Sequence, residues 1–381
     1  MSDVTPVPLD EAYLKEISGG LDRAAKHADE QAFDPATERI VIFSDHHRGT
    51  GDAADDFRRC EHAYTAALGY YLEAGYRLFL LGDVEELWEE RAGPVIDHYR
   101  AVIELEAEFT TRGGLERFYG NHDDDWRNPG PVKQHLWPVL GQIQVREALR
   151  LTIQREGKQP GTLLFLHGHQ GTADSDRWGW ASRLFVRYVW RPLQRRTGFS
   201  ATTPASNYDL RAKHDRAMYE WSRTREPGLV LVAGHTHRPV FARGTPDPPP
   251  TRSISELEQL LAGATSVSDA DAAARLRAEL EYARTSARRP DAVLTVSPPC
   301  YFNTGCCSFP DGDITGIEIA DGTIRLVRWP ANLHEIVDGI GGVEAEKRIL
   351  EEAALEDILT AVTDEPAISP SVVEHQIGAP E

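Results

Sequence analysis

The stretch Leu229-Val230-Leu231-Val232-Ala233-Gly234-His235-Thr236-His237 has the pattern of a buried strand that ends in two histidines. A short run of branched apolar residues is typical of a strand that is buried on both faces. Residues i and i+2 of an extended segment point to the same side, so His235 and His237 can reach into one space. The stretch therefore predicts a ligand site at the end of a core strand.

Four other stretches share this pattern, an apolar run that ends in Asp, Asn or His. They are residues 40–43 before Ser44-Asp45-His46-His47, residues 78–81 before Gly82-Asp83, residues 115–119 before Gly120-Asn121-His122-Asp123, and residues 163–166 before His167-Gly168-His169. In open α/β sheets, ligand sites form beyond the carboxyl ends of the strands. Oxygen and imidazole ligands without a thiolate suit divalent Mn, Fe or Zn. The five strand ends together predict a site for two such ions.

In chain order the five strand ends read Asp-x-His, Gly-Asp, Gly-Asn-His-Asp, His and Gly-His-x-His. This order resembles the calcineurin-like metallophosphoesterase superfamily, in its bacterial type, and the resemblance spans about residues 40–330. It implies an α/β fold, a metallophosphoesterase four-layer α/β/β/α sandwich with mainly helical insertions. It also implies a metal-dependent phosphoric ester hydrolase with two divalent metal ions, with Mn favoured over Fe and Zn.

The resemblance also implies a role for each ligand. Asp83 would bridge the two ions, because one carboxylate can offer an oxygen to each. The remaining ligands would be Asp45, His47 and His237 for the first ion, and Asn121, His167 and His235 for the second. Such an ion pair lowers the pKa of water from ~15.7 toward ~7 and can hold a hydroxide between the ions. That metal-bridging hydroxide would attack the phosphorus of a phosphomonoester, phosphodiester or pyrophosphate bond.

Other polar residues at these strand ends are expected to act on the substrate. His122 is not assigned to a metal, and it would stabilise charge on the phosphoryl group or protonate the leaving oxygen. Asp123 would hold the His122 ring in one tautomer. For His46 and His169 two roles stay open, contact with the substrate or a packing and hydrogen-bonding role, because neighbours on an extended chain point to opposite sides.

Composition narrows the class of protein. The chain has 381 residues, 41% of them hydrophobic, and a formal net charge of −19, so we expect a globular chain whose main partner is not a nucleic acid. The four cysteines show no Cys-x-x-Cys spacing, which favours free thiols in a reducing compartment. No signal peptide and no run of roughly 20 apolar residues is visible. We therefore expect a cytoplasmic protein that acts on a small phosphate ester or nucleotide-type substrate, with peripheral membrane contact left open.

The sequence predicts three regions. They are an N-terminal polar arm, residues 1–38, with a helix from Leu9 to Ala28; a metallophosphoesterase domain, residues 39–330, with insertions at about 172–226 and 244–292; and an acidic C-terminal tail, residues 331–381, with a helix from Val343 to Val362. Residues 84–90 are expected to be helical. Asp321-Gly322 is expected to turn a hairpin between two strands. The insertion at 244–292 is expected to form two peripheral helices, residues 256–261 and 269–288.

Residues 177–225 are basic within an acidic chain, with eleven Lys or Arg and three Asp or Glu. Arg183 and Arg187 belong to a row of arginines spaced four residues apart, which would form one stripe on a helix. Three interpretations stay open: a solvated face of a packed helix, a lid whose Arg183 and Arg187 bind an anionic substrate, and a basic surface for anionic lipid.

Two alternatives to a general phosphoesterase follow from the resemblance. Family members that cleave the pyrophosphate of UDP-2,3-diacylglucosamine also carry a helical insertion at this place, so a pyrophosphatase of that type at the membrane surface is one alternative. The other is a non-catalytic scaffold with the same fold. Such a scaffold would be expected to lose His122 or a metal ligand, and this chain retains them all.

Overall fold

The computed structural model describes residues 10–52, 54–112, 114–171, 208–241, 253–263, 297–331 and 347–364, with residues 276, 277, 279, 280, 283 and 284. Within them the chain forms a mixed α/β fold with two β-sheets. The strands are β1 (Asp29–Ala32), β2 (Ile40–Phe43), β3 (Arg77–Leu81), β4 (Leu115–Phe118), β5 (Val145–Arg146), β6 (Ala148–Ile153), β7 (Gly161–Leu166), β8 (Leu229–Ala233), β9 (Pro239–Val240), β10 (Tyr301–Thr304), β11 (Ile314–Ala320), β12 (Thr323–Trp329) and β13 (Arg348–Ala354).

One sheet has seven strands in the order β13-β12-β11-β2-β3-β4-β5. Strands β2, β3, β4 and β5 run parallel, whereas β11, β12 and β13 add antiparallel pairs on the other side of β2. Alternate residues of β2 face opposite sides of the sheet, as the twofold period of a strand requires. Ile40 and Ile42 pack in one hydrophobic core, and Val41 and Phe43 pack in another.

The other sheet has six strands in the order β1-β6-β7-β8-β10-β9. Its centre is the parallel trio β7, β8 and β10. The inner faces of the two sheets pack against each other, as shown by Phe79 and Phe165, whose ring centroids lie 5.1 Å apart. A buried Phe or Leu contributes ~1.5–3 kcal/mol through removal of its apolar surface from water. This shared apolar layer is the main core of the fold.

The described residues also form helices. They are α1 (Glu11–Lys26), α2 (Glu61–Glu73), α3 (Ala92–His98), α4 (Arg100–Arg112), α5 (Pro129–Pro131), α6 (Trp137–Leu140), α7 (Tyr208–Arg225), α8 (Ile254–Gly263) and α9 (Leu355–Asp364), with 3-10 turns at Phe57–Arg59 and Asp124–Arg127 and a π-turn at Val132–Leu136. Helices α2 and α4 pack on the seven-stranded sheet, and α1, α7 and α9 pack on the six-stranded sheet. This layering confirms the predicted α/β/β/α arrangement.

Both ends of the described chain are built into this core. Ile17 and Leu21 of α1 are fully buried, and β1 pairs with β6, so residues 10–32 belong to the six-stranded layer. At the other end, the predicted helix from Val343 to Val362 is wrong in its first part. Residues 348–354 form β13 on the edge of the seven-stranded sheet because they pair with β12, and a helix begins only at Leu355.

Three further expectations can be compared with the structure. Asp321 and Gly322 have φ angles of 53° and 71° between the antiparallel β11 and β12, which confirms the hairpin. Residues 84–90 do not form the predicted helix. Instead Arg48 and Glu85 make a parallel bridge that ties this segment to the loop after β2. Helix α8 agrees with the first helix predicted in the 244–292 insertion, whereas most of the second lies outside the described residues.

The loops after β2, β3, β4, β7 and β8 lie at the carboxyl ends of parallel strands, and these are the five strand ends that carry the predicted ligands.

The described helices include none with the length and hydropathy needed to cross a lipid bilayer.

Candidate metal centre

One loop from each sheet brings together a first group of candidate ligands, Asp45 and His47 after β2 and His237 after β8. The Nε2 atoms of His47 and His237 lie 3.0 Å apart. His237 Nε2 lies 3.2 Å from Asp45 Oδ1. One donor atom from each residue falls within 4.8 Å of the others, which is a spacing that could hold a metal ion. The three residues are those that the resemblance assigns to one ion.

A second group contains Asp83, His167 and His235, whose donor atoms again lie within 4.8 Å of one another. Asp83 Oδ2 lies 3.1 Å from His167 Nε2, and the rings of His167 and His235 have centroids 5.1 Å apart. His167 Nδ1 donates to the backbone carbonyl of Leu81 at 2.6 Å, which leaves Nε2 to face the group. This is the arrangement expected of a metal-ligating histidine, whose second nitrogen is held by a carbonyl or carboxylate.

Asp83 lies between the two groups. Its Oδ2 atom is 3.1 Å from His167 Nε2 in the second group and 3.9 Å from His47 Nε2 in the first. Its Oδ1 atom accepts a hydrogen bond of 2.8 Å from the backbone N–H of His122. The carboxylate is therefore held so that one oxygen faces both groups.

The buried donor atoms of the site fit a cation. Asn121 Oδ1 is buried and has no hydrogen-bond partner among the described residues, whereas Asp45 Oδ1 and His167 Nε2 are buried and face only another donor atom of the site, on His237 and Asp83. Buried polar atoms are nearly always paired, so such orphans call for an ion or a water molecule. Asn121 follows β4 beside the site, and the amide oxygen that the resemblance assigns to the second ion is one of these atoms.

The electrostatics of the site also favour positive charge. Burial lowers the pKa of His47, but its hydrogen bond to Glu86 and the charges of Asp83 and Asp45 outweigh burial and raise the pKa to about 10. Burial lowers the pKa of His167 as well, and Asp83 and Asp45 raise it to about 9. Burial raises the pKa of Asp83, yet His167 and His122 hold it well below its usual value. A divalent cation would supply the positive charge that these carboxylates favour.

The ligand loops have an unusual backbone conformation. Residues with positive φ are Asp45 (55°), His47 (51°), Asp83 (49°), His235 (72°) and His237 (56°). A non-glycine residue in this left-handed region costs on the order of 1–3 kcal/mol, and such residues cluster at functional sites. All three candidate ligands of the first group, and two of the second, thus lie on strained turns. This strain indicates a functional site independently of any resemblance in sequence.

Two glycines leave room for the carboxylates. A Cβ atom on Gly120 would lie 2.1 Å from Asp83 Oδ1, and one on Gly234 would lie 2.6 Å from Asp45 Oδ2. Neither distance is sterically allowed. Glycine at these positions lets the loops from neighbouring strands approach the ligands closely.

The structure corrects the role expected of Asp123. Its carboxylate does not hold the His122 ring. It accepts hydrogen bonds from the backbone N–H groups of Gly120 (2.6 Å), Val84 (2.9 Å) and Asp83 (3.2 Å). Asp123 is fully buried and joins the loop after β3 to the loop after β4. It supports the loops that carry the site and does not orient the imidazole.

Glu86 takes the role that was expected of Asp123, and sequence analysis missed it. Its carboxylate oxygens lie 2.9 Å from His122 Nδ1 and 2.9 Å from His47 Nδ1. Glu86 therefore orients a predicted ligand and the predicted catalytic histidine at once. The only signal in the sequence is that Glu86 is an acidic residue three positions after Asp83. Because residues 84–90 were predicted to form a helix, Glu86 was not expected to contact the two histidines.

The remaining candidates for substrate contact differ in their placement. His46, in the loop after β2, is fully buried, with its ring centroid 4.6 Å from that of Tyr64 and 5.5 Å from that of Phe57. Of the two roles left open for His46, this placement favours packing over substrate contact. His169 lies beside the site, 5.3 Å from His167 between ring centroids, and burial lowers its pKa to about 3. Arg183 and Arg187 lie outside the described residues.

Comparisons with known proteins give little further information. No protein-family model and no curated protein matches the chain. A conserved uncharacterised protein of Streptococcus pneumoniae, titled a predicted phosphoesterase, is similar in structure with 9% sequence identity and a TM-score of 0.26, over 82% of this chain and 97% of that one. A cold-active protein tyrosine phosphatase is similar with 11% identity and a TM-score of 0.32, over 85% of this chain and 80% of that one.

Proposed function

We propose that this protein is a metal-dependent phosphoesterase that holds two divalent cations and hydrolyses a phosphomonoester, phosphodiester or pyrophosphate bond. The observation that carries this proposal is the position of Asp83 Oδ2, which faces His47 of one ligand group and His167 of the other. Asp45, His47 and His237 would hold one cation, and Asn121, His167 and His235 would hold the other.

The donor set supports particular metals. Imidazole nitrogens and carboxylate or amide oxygens suit Mn, Fe and Zn, and Mn is the metal we favour. The described cysteines are buried, and none of them belongs to a ligand group. When bound, two such cations would make a hydroxide nucleophile available near neutral pH and neutralise charge on the phosphoryl oxygens.

The chain's own residues would then position and protonate the substrate. Glu86 accepts a hydrogen bond from His122 Nδ1, which fixes that tautomer and leaves Nε2 for a substrate oxygen. From there His122 would stabilise charge on the phosphoryl group or give a proton to the leaving oxygen. Glu86 also bonds His47, so one carboxylate would orient both the proposed acid, His122, and one proposed metal ligand, His47.

A hydrolysis screen with metal analysis tests this function. The purified protein would be stripped of metal, reloaded with Mn, and supplied with p-nitrophenyl phosphate, bis-p-nitrophenyl phosphate and a nucleoside diphosphate sugar. We expect about two Mn per chain and turnover of at least one ester type. A well-folded wild-type protein that retains no Mn would reject the proposal.

Asp83→Asn is the matched variant for the bridging role. It keeps the size of the side chain but weakens its bonds to both cations, so bound Mn should fall together with turnover. Full Mn content in this variant would reject the bridging role of Asp83. Metal binding without hydrolysis of any ester would instead favour the non-catalytic alternative, and activity confined to the diphosphate sugar would favour the pyrophosphatase alternative.

A further inference from the structure

Trp88 lies against the Asn121–His122 pair although it belongs to a different loop. Its indole ring is stacked on the His122 imidazole, with ring centroids 4.3 Å apart and 17° between the ring planes. Its Nε1–H donates a hydrogen bond of 2.5 Å to the backbone carbonyl of Asn121. One half-buried side chain thus contacts two adjacent residues with separate roles in the proposed function.

The His122 ring is enclosed by three different contacts. Glu86 holds its Nδ1 atom, the His47 ring lies perpendicular to it at 4.7 Å between centroids and 86° between planes, and Trp88 covers one face. The hydrogen bond to Glu86 fixes one nitrogen but allows the ring to tilt about that bond. A flat stack with a large aromatic ring restricts the tilt. Among these contacts, the Trp88 stack is therefore the one that sets the plane of the ring.

The backbone is held in the same way. The carbonyl of His122 accepts a hydrogen bond of 3.0 Å from Leu87 N–H, next to the indole bond on the Asn121 carbonyl. Two consecutive residues of the loop after β3 therefore hold two consecutive carbonyls of the loop after β4. These bonds restrain the backbone from which the His122 side chain leaves.

We propose that Trp88 is a positioning residue that sets the plane of the His122 imidazole. This proposal rests on the proposed phosphoesterase function. Without the indole ring, His122 would sample orientations in which Nε2 does not face the substrate. A catalytic group misplaced by about 1 Å can lose on the order of 100-fold in rate, so the effect belongs in kcat.

Two substitutions separate the stack from the hydrogen bond. Trp88→Leu removes both and keeps apolar bulk, whereas Trp88→Phe keeps an aromatic face and removes the N–H. We expect kcat to fall by about tenfold to 100-fold in Trp88→Leu and by less in Trp88→Phe, with KM and bound Mn within about twofold of wild type. The conservative variant should thus rescue part of the loss.

Trp137→Leu is the control. Trp137 is also half-buried, and its Nε1–H donates to the Ile143 carbonyl at 3.0 Å, but its helix α6 carries no residue of the site. Its kcat should equal that of wild type. An equal fall of kcat in Trp137→Leu, an unchanged kcat in Trp88→Leu, or a loss of bound Mn in proportion to kcat would overturn the proposal.

Fluorescence tests the stack without any activity. An imidazole in contact with an indole quenches its emission, so His122→Ala should raise the tryptophan fluorescence of the wild-type chain. The same substitution in a Trp88→Phe background should cause no rise. Equal changes in the two backgrounds would refute the stack itself, whereas a specific rise in a protein with no hydrolytic activity would reject the phosphoesterase function and leave the contact established.

Discussion

At the scale of single residues, the candidate ligands combine a strained backbone conformation with side chains that are hydrogen-bonded to residues outside the ligand set. Asp45 and His47 occupy left-handed turns, and Asp83 does the same on the neighbouring strand. Their side chains are then held by groups outside the ligand set, as His47 is by Glu86. Such costly conformations persist only where the surrounding structure holds them, so the fold itself fixes these side chains.

His122→Ala should separate chemistry from metal binding. Because His122 would serve as acid or phosphoryl contact and not as a ligand, we expect about 100-fold lower turnover with unchanged Mn content. Steady-state kinetics and metal analysis on the same sample measure both quantities. His62→Ala, which removes an exposed histidine of α2, is the control. Equal turnover in the two variants would exclude His122 from the mechanism.

Glu86→Gln should affect both metal binding and turnover. The amide cannot supply the negative charge that now faces His47 and His122, and loss of such an outer partner typically costs about 10–100-fold in metal affinity or activity. Mn titration and kinetics provide the measurement. Glu73→Gln in α2, an exposed position, should change neither. If Glu86→Gln kept wild-type Mn affinity and turnover, the hydrogen bonds of Glu86 to the two histidines would not contribute to function.

At the scale of secondary structure, the site depends on how closely neighbouring loops approach. Gly120 lies against Asp83, and Asp123 accepts hydrogen bonds from backbone amides of both loops.

Helix α1 supports the site from a greater distance. Its Tyr13 hydroxyl lies 2.8 Å from His214 Nδ1 in α7, and His214 Nε2 donates to the Gly168 carbonyl beside His167. The N-terminal helix therefore supports a loop of the site.

Gly120→Ala should disrupt the metal centre. The added methyl group would meet Asp83 Oδ1 at 2.1 Å, so either the carboxylate or the loop must move. We expect loss of bound Mn and at least a tenfold fall in turnover, measured on a protein whose circular dichroism is unchanged. Gly69→Ala in α2 has open space and should be neutral or slightly stabilising. Normal Mn content in Gly120→Ala would show that the loops are not closely packed.

Leu21→Ala tests whether α1 belongs to the core. Leu21 is fully buried, so truncation should lower the free energy of unfolding by about 2–5 kcal/mol. Leu210→Ala, at a position that is 45% exposed, should cost far less. Urea denaturation of both variants gives the comparison. A cost for Leu21→Ala no larger than that for Leu210→Ala would indicate that residues 11–26 detach in solution.

At the scale of the whole molecule, the site joins the two sheets. Asp45, Asp83 and Asn121 follow strands of the seven-stranded sheet, and His167 and His235 follow strands of the six-stranded sheet. A cation held by both sets would therefore cross-link the two layers as well as serve the reaction. Since the unfolded chain lacks this arrangement, cation binding must stabilise the folded state.

Metal removal should therefore lower thermal stability. A ligand present at 100 times its Kd adds about 2.7 kcal/mol to the free energy of unfolding. That corresponds to a rise of several degrees in Tm on addition of Mn to the chelated protein, measured by calorimetry. Asp83→Asn should show little or no rise. A wild-type Tm that is indifferent to Mn would contradict a cation shared between the sheets.

Much of the fold and of the candidate site could be read from the sequence because the information is local. An apolar run that ends in His235-Thr236-His237 encodes both a strand and its ligands within a few residues, and β8 and its loop follow that pattern. The same holds for the Asp321-Gly322 hairpin. Strand β13 escaped prediction because its conformation depends on pairing with β12, and the local composition favours a helix.

The sequence by itself determined which strand ends carry Asp, Asn and His, and thereby the candidate ligand set. Only the tertiary structure decided how the residues around that set are arranged. Glu86 bonds His47 and His122, Asp123 accepts from backbone amides, Trp88 stacks on the His122 ring, and His46 packs in the core. The physical reason is that these contacts join different loops, or a loop and a helix. Their geometry depends on how the strands are registered and how far each loop reaches, which no short stretch of sequence encodes.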